Sequence, residues 1–209
     1  MTSDHPSPPP TDETAFLVEM PETRVSWPEF FGDDRPVELE IGPGKGLFLA
    51  NAAVRRPDHK FLGVEIARKY ARRAAERAAK QGLTNVRVIP GDARKFLHEF
   101  VPEKSLTALH VYFPDPWWKK RHKKRRVFTS EFVSDVARAL IDGCDFWFAT
   151  DVEEYFGVML AVMGEHPEFL QQSPPLPNEP QHDLDYLTNF ERKYRMEGRP
   201  IHRAHYRLA

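Results

Sequence analysis

Val37-Glu38-Leu39-Glu40-Ile41 alternates like a strand and runs directly into Gly42-Pro43-Gly44-Lys45-Gly46, after which Leu47 to Ala53 has helical spacing and stops before Pro57. No other feature restricts the fold as tightly. Strand, glycine turn and helix together form the opening of a crossover unit, and crossovers join parallel strands. The alternation then continues. Phe61-Leu62-Gly63-Val64-Glu65 predicts a second strand, and 67–81 predicts an Ala- and Arg-rich helix that Gly82 caps. Val86-Arg87-Val88-Ile89 is a third strand, ending in Gly91-Asp92, with a short helix from Ala93 to Glu99. Leu106 to Phe113 is a fourth. A helix capped by Thr129 or Ser130 runs to about Ile141, and Asp145 to Thr150 is a fifth strand with Asp151 at its end. A helix over 153–164, a short strand over 168–171, a helix over 187–197 and a last strand over 200–206 complete the chain. The pattern is α/β, a doubly wound and mostly parallel sheet.

The chain has 209 residues, of which 41% are hydrophobic, enough for a single domain with its own core over 15–209. Residues 1–14 are rich in Pro, Ser, Thr and acids and predict a disordered tail. Phe16, Leu17, Val18, Trp27, Phe30 and Phe31 predict an irregular segment that packs on the domain, with a short helix near Pro28. One cysteine, Cys144, excludes an internal disulfide and fits a reducing compartment. No apolar run reaches the ~20 residues of a membrane span, and no signal peptide is legible, so the expected location is cytoplasmic. The prolines from Pro174 to Pro180 predict a long loop.

The stretch from Phe113 to Arg126 carries the chemistry. A strand stops at Pro114, Asp115 follows, then Pro116, Trp117 and Trp118, then a nearly unbroken cationic run. An acid at a strand's C-terminal lip is where open α/β sheets hold ligands. Indoles offer flat faces to a base, and cations offer partners to phosphates. The bland reading is a proline turn beside a solvated charge run. The net charge of −1 makes this run a local feature rather than a global bias. The helix carrying Arg68, Lys69, Arg72, Arg73, Arg77 and Lys80 could widen the positive surface, but reads first as an ordinary exposed face, and His110 reads as a core or supporting histidine rather than a ligand. His202, His205 and Asp151 lack metal-site spacing, and no metal is expected.

Gly42-x-Gly44-x-Gly46 is not the Gly-x-Gly-x-x-Gly of dinucleotide sites. It resembles the shorter glycine turn of S-adenosylmethionine-dependent methyltransferases. That cofactor offers an ammonium, a ribose and an adenine amine, all of which suit carboxylates. Glu40 stands before the turn, Glu65 ends the second strand and Asp92 ends the third. Each alone reads as a surface acid; three at successive strand lips read as a site.

With these motifs in view, the chain resembles the bacterial tRNA (guanine-N7)-methyltransferases from about Val37 to Tyr206. The resemblance rests on Glu38-Leu39-Glu40-Ile41-Gly42, Phe61 to Glu65, Phe113 to Trp117, the basic run ending at Arg126, Ala149-Thr150-Asp151 and Thr188 to Lys193. It implies a seven-stranded Rossmann-like sheet with an antiparallel last strand, S-adenosyl-L-methionine as cofactor, and methylation of guanosine N7 at position 46 of the tRNA variable loop. It implies that Glu40, Gly42, Gly44, Glu65, Asp92 and Asp115 line the cofactor. Lys119, Asp151, Thr188, Asn189, Phe190 and Glu191 would hold the substrate base. Arg121, His122, Lys123, Lys124, Arg125 and Arg126 would touch RNA, and Asp115 would be catalytic. The partner is tRNA; a monomer and a homodimer both stay open. Readings from other classes are a cofactor-free RNA-binding protein on a decayed fold, which binding of the cofactor would exclude, and an oxidoreductase, which the glycine spacing disfavours.

Overall fold

The computed structural model describes residues 15–117, 121, 125–173 and 188–209. The expected tail, most of the basic run and the Pro174–Pro180 loop lie outside the described residues. Seven strands form one sheet: β1 (Val37–Ile41), β2 (Lys60–Glu65), β3 (Val86–Pro90), β4 (Leu106–Tyr112), β5 (Leu140–Thr150), β6 (Phe169–Gln172) and β7 (His202–Leu208). Their order is β3-β2-β1-β4-β5-β7-β6. Only β7 runs against the rest, pairing antiparallel with β5 and β6. This is the doubly wound sheet that the alternation predicts.

Helices cover both faces. On one side lie α1 (Trp27–Phe31), the short helix α4 (Ala93–Lys95) with its π-turn Phe96–Phe100, α5 (Ser130–Ala139) and α6 (Glu153–Met163). Leu39, Ile41, Leu62, Val64, Leu109, Val111, Phe146 and Phe148 point into that core. On the other side α2 (Leu47–Arg55) and α3 (Arg68–Lys80) meet Phe61, Val86 and Val88. Ala71, Ala74, Ala75, Ala78 and Ala79 give α3 a flat face that sits close to the sheet. The last helix, α7 (Asn189–Met196), starts at Thr188, whose hydroxyl accepts the Glu191 N–H at 3.0 Å.

Several boundaries differ from expectation. The helix expected to reach Ile141 stops at Ala139, and β5 starts at Leu140 rather than Asp145. Asp142 and Gly143, between the expected helix and strand, lie within the strand, with Gly143 at φ 79° beside a register shift against β4. β4 ends at Tyr112, because Phe113 already has φ 52°. At the N-terminal side, Phe16 to Val18 lies along the outer edge of β3. Val88 donates to the Phe16 carbonyl at 2.7 Å, and Val18 donates to the Val88 carbonyl at 2.8 Å. That short segment covers a sheet edge.

Candidate active site

The strand order reverses between β1 and β4, so the crevice of this sheet opens at their C-terminal ends. The glycine turn forms its first wall. Gly42, Gly44 and Gly46 have φ of 70°, 56° and 69°, in the left-handed region that side chains disfavour. Gly46 has a second reason to be glycine: a Cβ there would stand 2.7 Å from the Ala74 Cβ of α3. A Cβ on Gly42 would meet nothing within 4 Å, so that position faces open space. Glu65 pins the turn. Its two carboxylate oxygens accept the N–H of Gly44 at 2.9 Å and of Ala67 at 2.8 Å.

Glu40 and Glu38 lie on the same face of β1, and both are only 2% exposed. Glu38 is fully partnered. It accepts from His110 Nε2 at 2.9 Å and from the Arg56 guanidinium, and His110 Nδ1 lies 3.0 Å from the Tyr112 hydroxyl. Burial holds His110 below the usual imidazole range, so it is neutral at pH 7; its Nε2–H donates to Glu38 and its Nδ1 accepts from Tyr112. Burial pushes Glu38 up, but the His110 hydrogen bond and the Arg56 charge outweigh it and leave the carboxyl below its usual value. Glu40 is the opposite case. Its Oε2 is buried without a hydrogen-bond partner among the described residues. Burial, reinforced by the Glu65 charge, raises its carboxyl well above the usual range.

The other wall is the turn after β4. Phe113 and Trp117 both have positive φ, 52° and 43°, although neither is glycine. With Lys104 they are the only such residues among those described. Two strained residues bracket Pro114-Asp115-Pro116, a sign of backbone held for a purpose. Asp115 is exposed and makes no hydrogen bond or ion pair among the described residues. Arg126 holds the turn from beneath. Its Nε donates to the Pro116 carbonyl at 2.7 Å, and its guanidinium lies 5.0 Å over the ring of the fully buried Tyr155. The family resemblance implies an RNA contact at Arg126; in the fold its side chain is half-buried and engaged with Pro116 and Tyr155. Arg121 and Arg125 are exposed, with the Arg125 guanidinium 5.1 Å over the Trp117 ring. Lys119, His122, Lys123 and Lys124 lie outside the described residues.

An aromatic wall joins the two sides. Phe113 lies 6.1 Å from Phe190 and 5.4 Å from Tyr194, ring to ring. Phe190 is 46% exposed and reaches to 3.9 Å from where a Cβ on Gly44 would be. Arg199 stacks 4.3 Å over Tyr194 and forms an ion pair with Asp151, whose side chain is nearly buried. Glu191 is tied to Arg203 at 2.6 Å and to Arg195 at 3.2 Å. The expected substrate residues Asp151 and Glu191 thus each carry an arginine partner. Thr188 caps α7, and the side chain of Asn189 is outside the described residues. Asp92 also serves the fold, because its Oδ1 accepts the N–H of Arg94 at 2.9 Å and caps α4. Sequence reading missed Arg199 and the Glu38–His110–Tyr112 row. Glu38 showed one signal, an acid among the apolar residues of a central strand.

These residues fit S-adenosylmethionine. The unpartnered, buried Glu40 carboxyl suits an ammonium or hydroxyl donor, and the open side of Gly42 admits a ligand against the backbone. Glu65 stands at the rim with oxygen lone pairs beyond its two backbone bonds. Among the described residues no group of three His, Cys, Asp or Glu could hold a metal ion, and no helix is long and apolar enough to cross a membrane.

Comparison with known proteins gives the family and the fold. Residues 34–204 match a family model described as "Putative methyltransferase". A tRNA (guanine-N(7)-)-methyltransferase of Rhodopirellula baltica is 44% identical over 183 residues, spanning 85% of this chain and 68% of that one. A protein of the same name from Geobacter metallireducens is 35% identical over 187 residues, 88% of each chain. Among solved structures the 16S rRNA methyltransferase KamB superposes with a TM-score of 0.65 over 90% of this chain and 95% of its own, at 16% identity, a likeness of fold. With 44% identity over most of its length, this chain belongs to the tRNA (guanine-N(7)-)-methyltransferase family.

Proposed function

We propose that this protein methylates N7 of a guanosine in tRNA, at position 46 of the variable loop, with S-adenosylmethionine as the methyl donor. The observation that carries the reading is the pair of walls at the β1/β4 switch: a buried, unpartnered Glu40 beside a strained turn that presents an unpaired Asp115. The cofactor supplies an electrophilic methyl on a sulfonium. Everything else falls to the chain's own residues. Glu40 and Glu65 bind and orient the donor, with Gly42 and Gly44 giving it access to the backbone. Guanine N7 carries an in-plane lone pair, so no residue has to remove a proton before attack. Positive charge builds on the purine as the new bond forms. The Asp115 carboxylate stabilises that charge and orients the base. Phe190 and Phe113 supply apolar ring surface for the base. Asp151 accepts from the guanine edge once Arg199 yields it, and exposed Arg121 and Arg125 bind phosphates. Alignment of nucleophile, methyl and leaving sulfur supplies much of the remaining rate. The protein acts in the cytoplasm.

The test is transfer of labelled methyl to an unmodified tRNA transcript, followed by borohydride and aniline cleavage, which cuts at N7-methylguanosine. Cleavage in the variable loop, abolished when that guanosine is replaced, is the expected result. Cofactor binding without transfer to any tRNA would overturn the substrate. Asp115→Asn is expected to lose turnover at least 100-fold while keeping tRNA affinity; near-normal turnover would remove Asp115 from its role.

A further inference from the structure

Helix α3 carries a feature that neither the core nor the catalytic crevice explains. Its buried face is alanine, and its exposed face begins with Arg68, Lys69, Arg72 and Arg73, followed by Lys80. Glu76 is the single acid in the helix. The cations of its first half are poorly placed for the helix itself. The first turn holds Arg68 and Lys69 and no acid, against the direction that the helix dipole favours. Arg68 with Arg72 and Lys69 with Arg73 are like charges four residues apart, which repel on a helix. Arg68 has a partner, the exposed Glu19 at 3.0 Å. Lys69, Arg72 and Arg73 form no ion pair or hydrogen bond among the described residues, not even with Glu76 beside them. Together with Arg68 and Glu76 they line a shallow open groove. Lys69, Arg72 and Arg73 thus cost helix stability and return no ion pair or hydrogen bond among the described residues.

Its position gives the reason. α3 follows β2, and two strand spacings, on the order of 10 Å, separate β2 from β4, after which come Asp115 and the exposed Arg121 and Arg125. Exposed cations therefore stand on both sides of the crevice: Lys69, Arg72 and Arg73 on one, Arg121 and Arg125 on the other. The stripe is also fixed to the crevice. Arg77 Nε donates to the Lys45 carbonyl of the glycine turn at 3.0 Å, and Gly46 packs directly on Ala74. A polyanion that crosses the crevice to deliver a base at β4 would extend over α3.

We propose that Lys69, Arg72 and Arg73 form a second RNA-binding surface that grips the phosphate backbone of the substrate tRNA away from the methylated base. The proposal rests on the tRNA reading above and adds a foothold on the far side of the cofactor crevice. Phosphate contacts of this kind raise affinity without reading sequence, and they appear in the salt dependence of binding.

The test uses the full chain and the triple variant Lys69→Ala, Arg72→Ala and Arg73→Ala. Binding of unmodified tRNA transcript is followed by fluorescence anisotropy from low to moderate salt, alongside methyl transfer and calorimetric binding of S-adenosylmethionine. The expected variant binds tRNA at least 10-fold more weakly at low salt, and its slope of log affinity against log salt is shallower by about 2 to 3. Its KM for tRNA rises, kcat at saturation stays near that of the parent, and cofactor affinity does not change. Its Tm is equal or higher, because alanine relieves the like-charge pairs. Glu76→Lys should tighten tRNA binding severalfold and steepen the slope. Unchanged affinity and slope in both variants would overturn the second surface while transfer by the parent protein still upheld the tRNA reading. A parent that neither binds nor methylates tRNA would overturn that reading and this proposal with it. Loss of sedimentation with phosphatidylserine vesicles in the triple variant, with tRNA binding intact, would reassign the stripe to membranes.

Discussion

Glu38 and Glu40 sit two residues apart on one face of β1, equally buried, and meet opposite fates. In the lower half of the strand Glu38 is enclosed by His110, Arg56 and His59, and its carboxyl is held below the usual range. At the upper end Glu40 has an oxygen with no partner, and its carboxyl is pushed well above that range. The same side chain, strand and depth therefore give a fold-holding anion in one place and an unpartnered carboxyl in the other, which the proposed function assigns to the cofactor. Depth alone does not separate structure from function here. Whether each buried oxygen is spent does.

The comparison can be broken in four ways. Glu38→Ala removes the acceptor from a buried network and strands His110 Nε2–H, so it should cost about 3 to 5 kcal/mol in chemical denaturation. A loss below ~1 kcal/mol would show that the row is not structural. Glu40→Gln should leave stability equal or improved, yet weaken S-adenosylmethionine binding about 10- to 100-fold by calorimetry, the range of a lost charge-assisted hydrogen bond. Unchanged affinity would return Glu40 to the fold. Arg126→Ala carries the same contrast to the β4 turn. If Arg126 is spent on Pro116, kcat should fall roughly 10-fold with tRNA affinity little altered; weaker tRNA binding at normal kcat would make it an RNA contact after all. The smallest effect is in pH. The folded carboxyl of Glu40 lies above its ordinary value near 4.5, so above that pH the unfolded chain releases a proton that the folded one keeps. Stability of the parent protein should therefore fall as pH rises from about 4.5 towards the folded value, and the Tm advantage of Glu40→Gln should widen over the same window. A constant difference from pH 5 to 8 would mean that Glu40 titrates normally.

Much of this was legible in the residues because the signals were local. Val37 to Gly46 announces strand, turn and helix within ten positions, and the acids at Glu40 and Glu65 stand where strands must end. What could not be read depends on distant partners. Arg125 and Arg126 are neighbours in one cationic run, and nothing in the run says that one faces out while the other lies over Tyr155, nearly thirty residues on. Asp92 reads equally as a ligand for an adenine or as a helix cap, and only the Arg94 N–H at 2.9 Å identifies the cap. The 140–144 extension of β5 was hidden because Asp142-Gly143 has turn chemistry, which pairing of Leu140 with Leu106 overrides. Arg199 follows a helix end with no motif around it, and its pairing with Asp151 across nearly fifty residues has no sequence signature.

The order β5-β7-β6 has a consequence for how the molecule is made. β6 leaves the ribosome before β7, yet within the sheet it is hydrogen-bonded only to β7. Residues 169–172 must therefore wait for residues 202–208 before they have a strand partner, and until then the β5 edge is an open template for another chain. The strand that closes the sheet also carries Arg203, which ties down Glu191 at the head of α7. Late synthesis thus couples the two events: with β7 in place the β5 edge is covered and Arg203 reaches Glu191 at the head of α7 in one step.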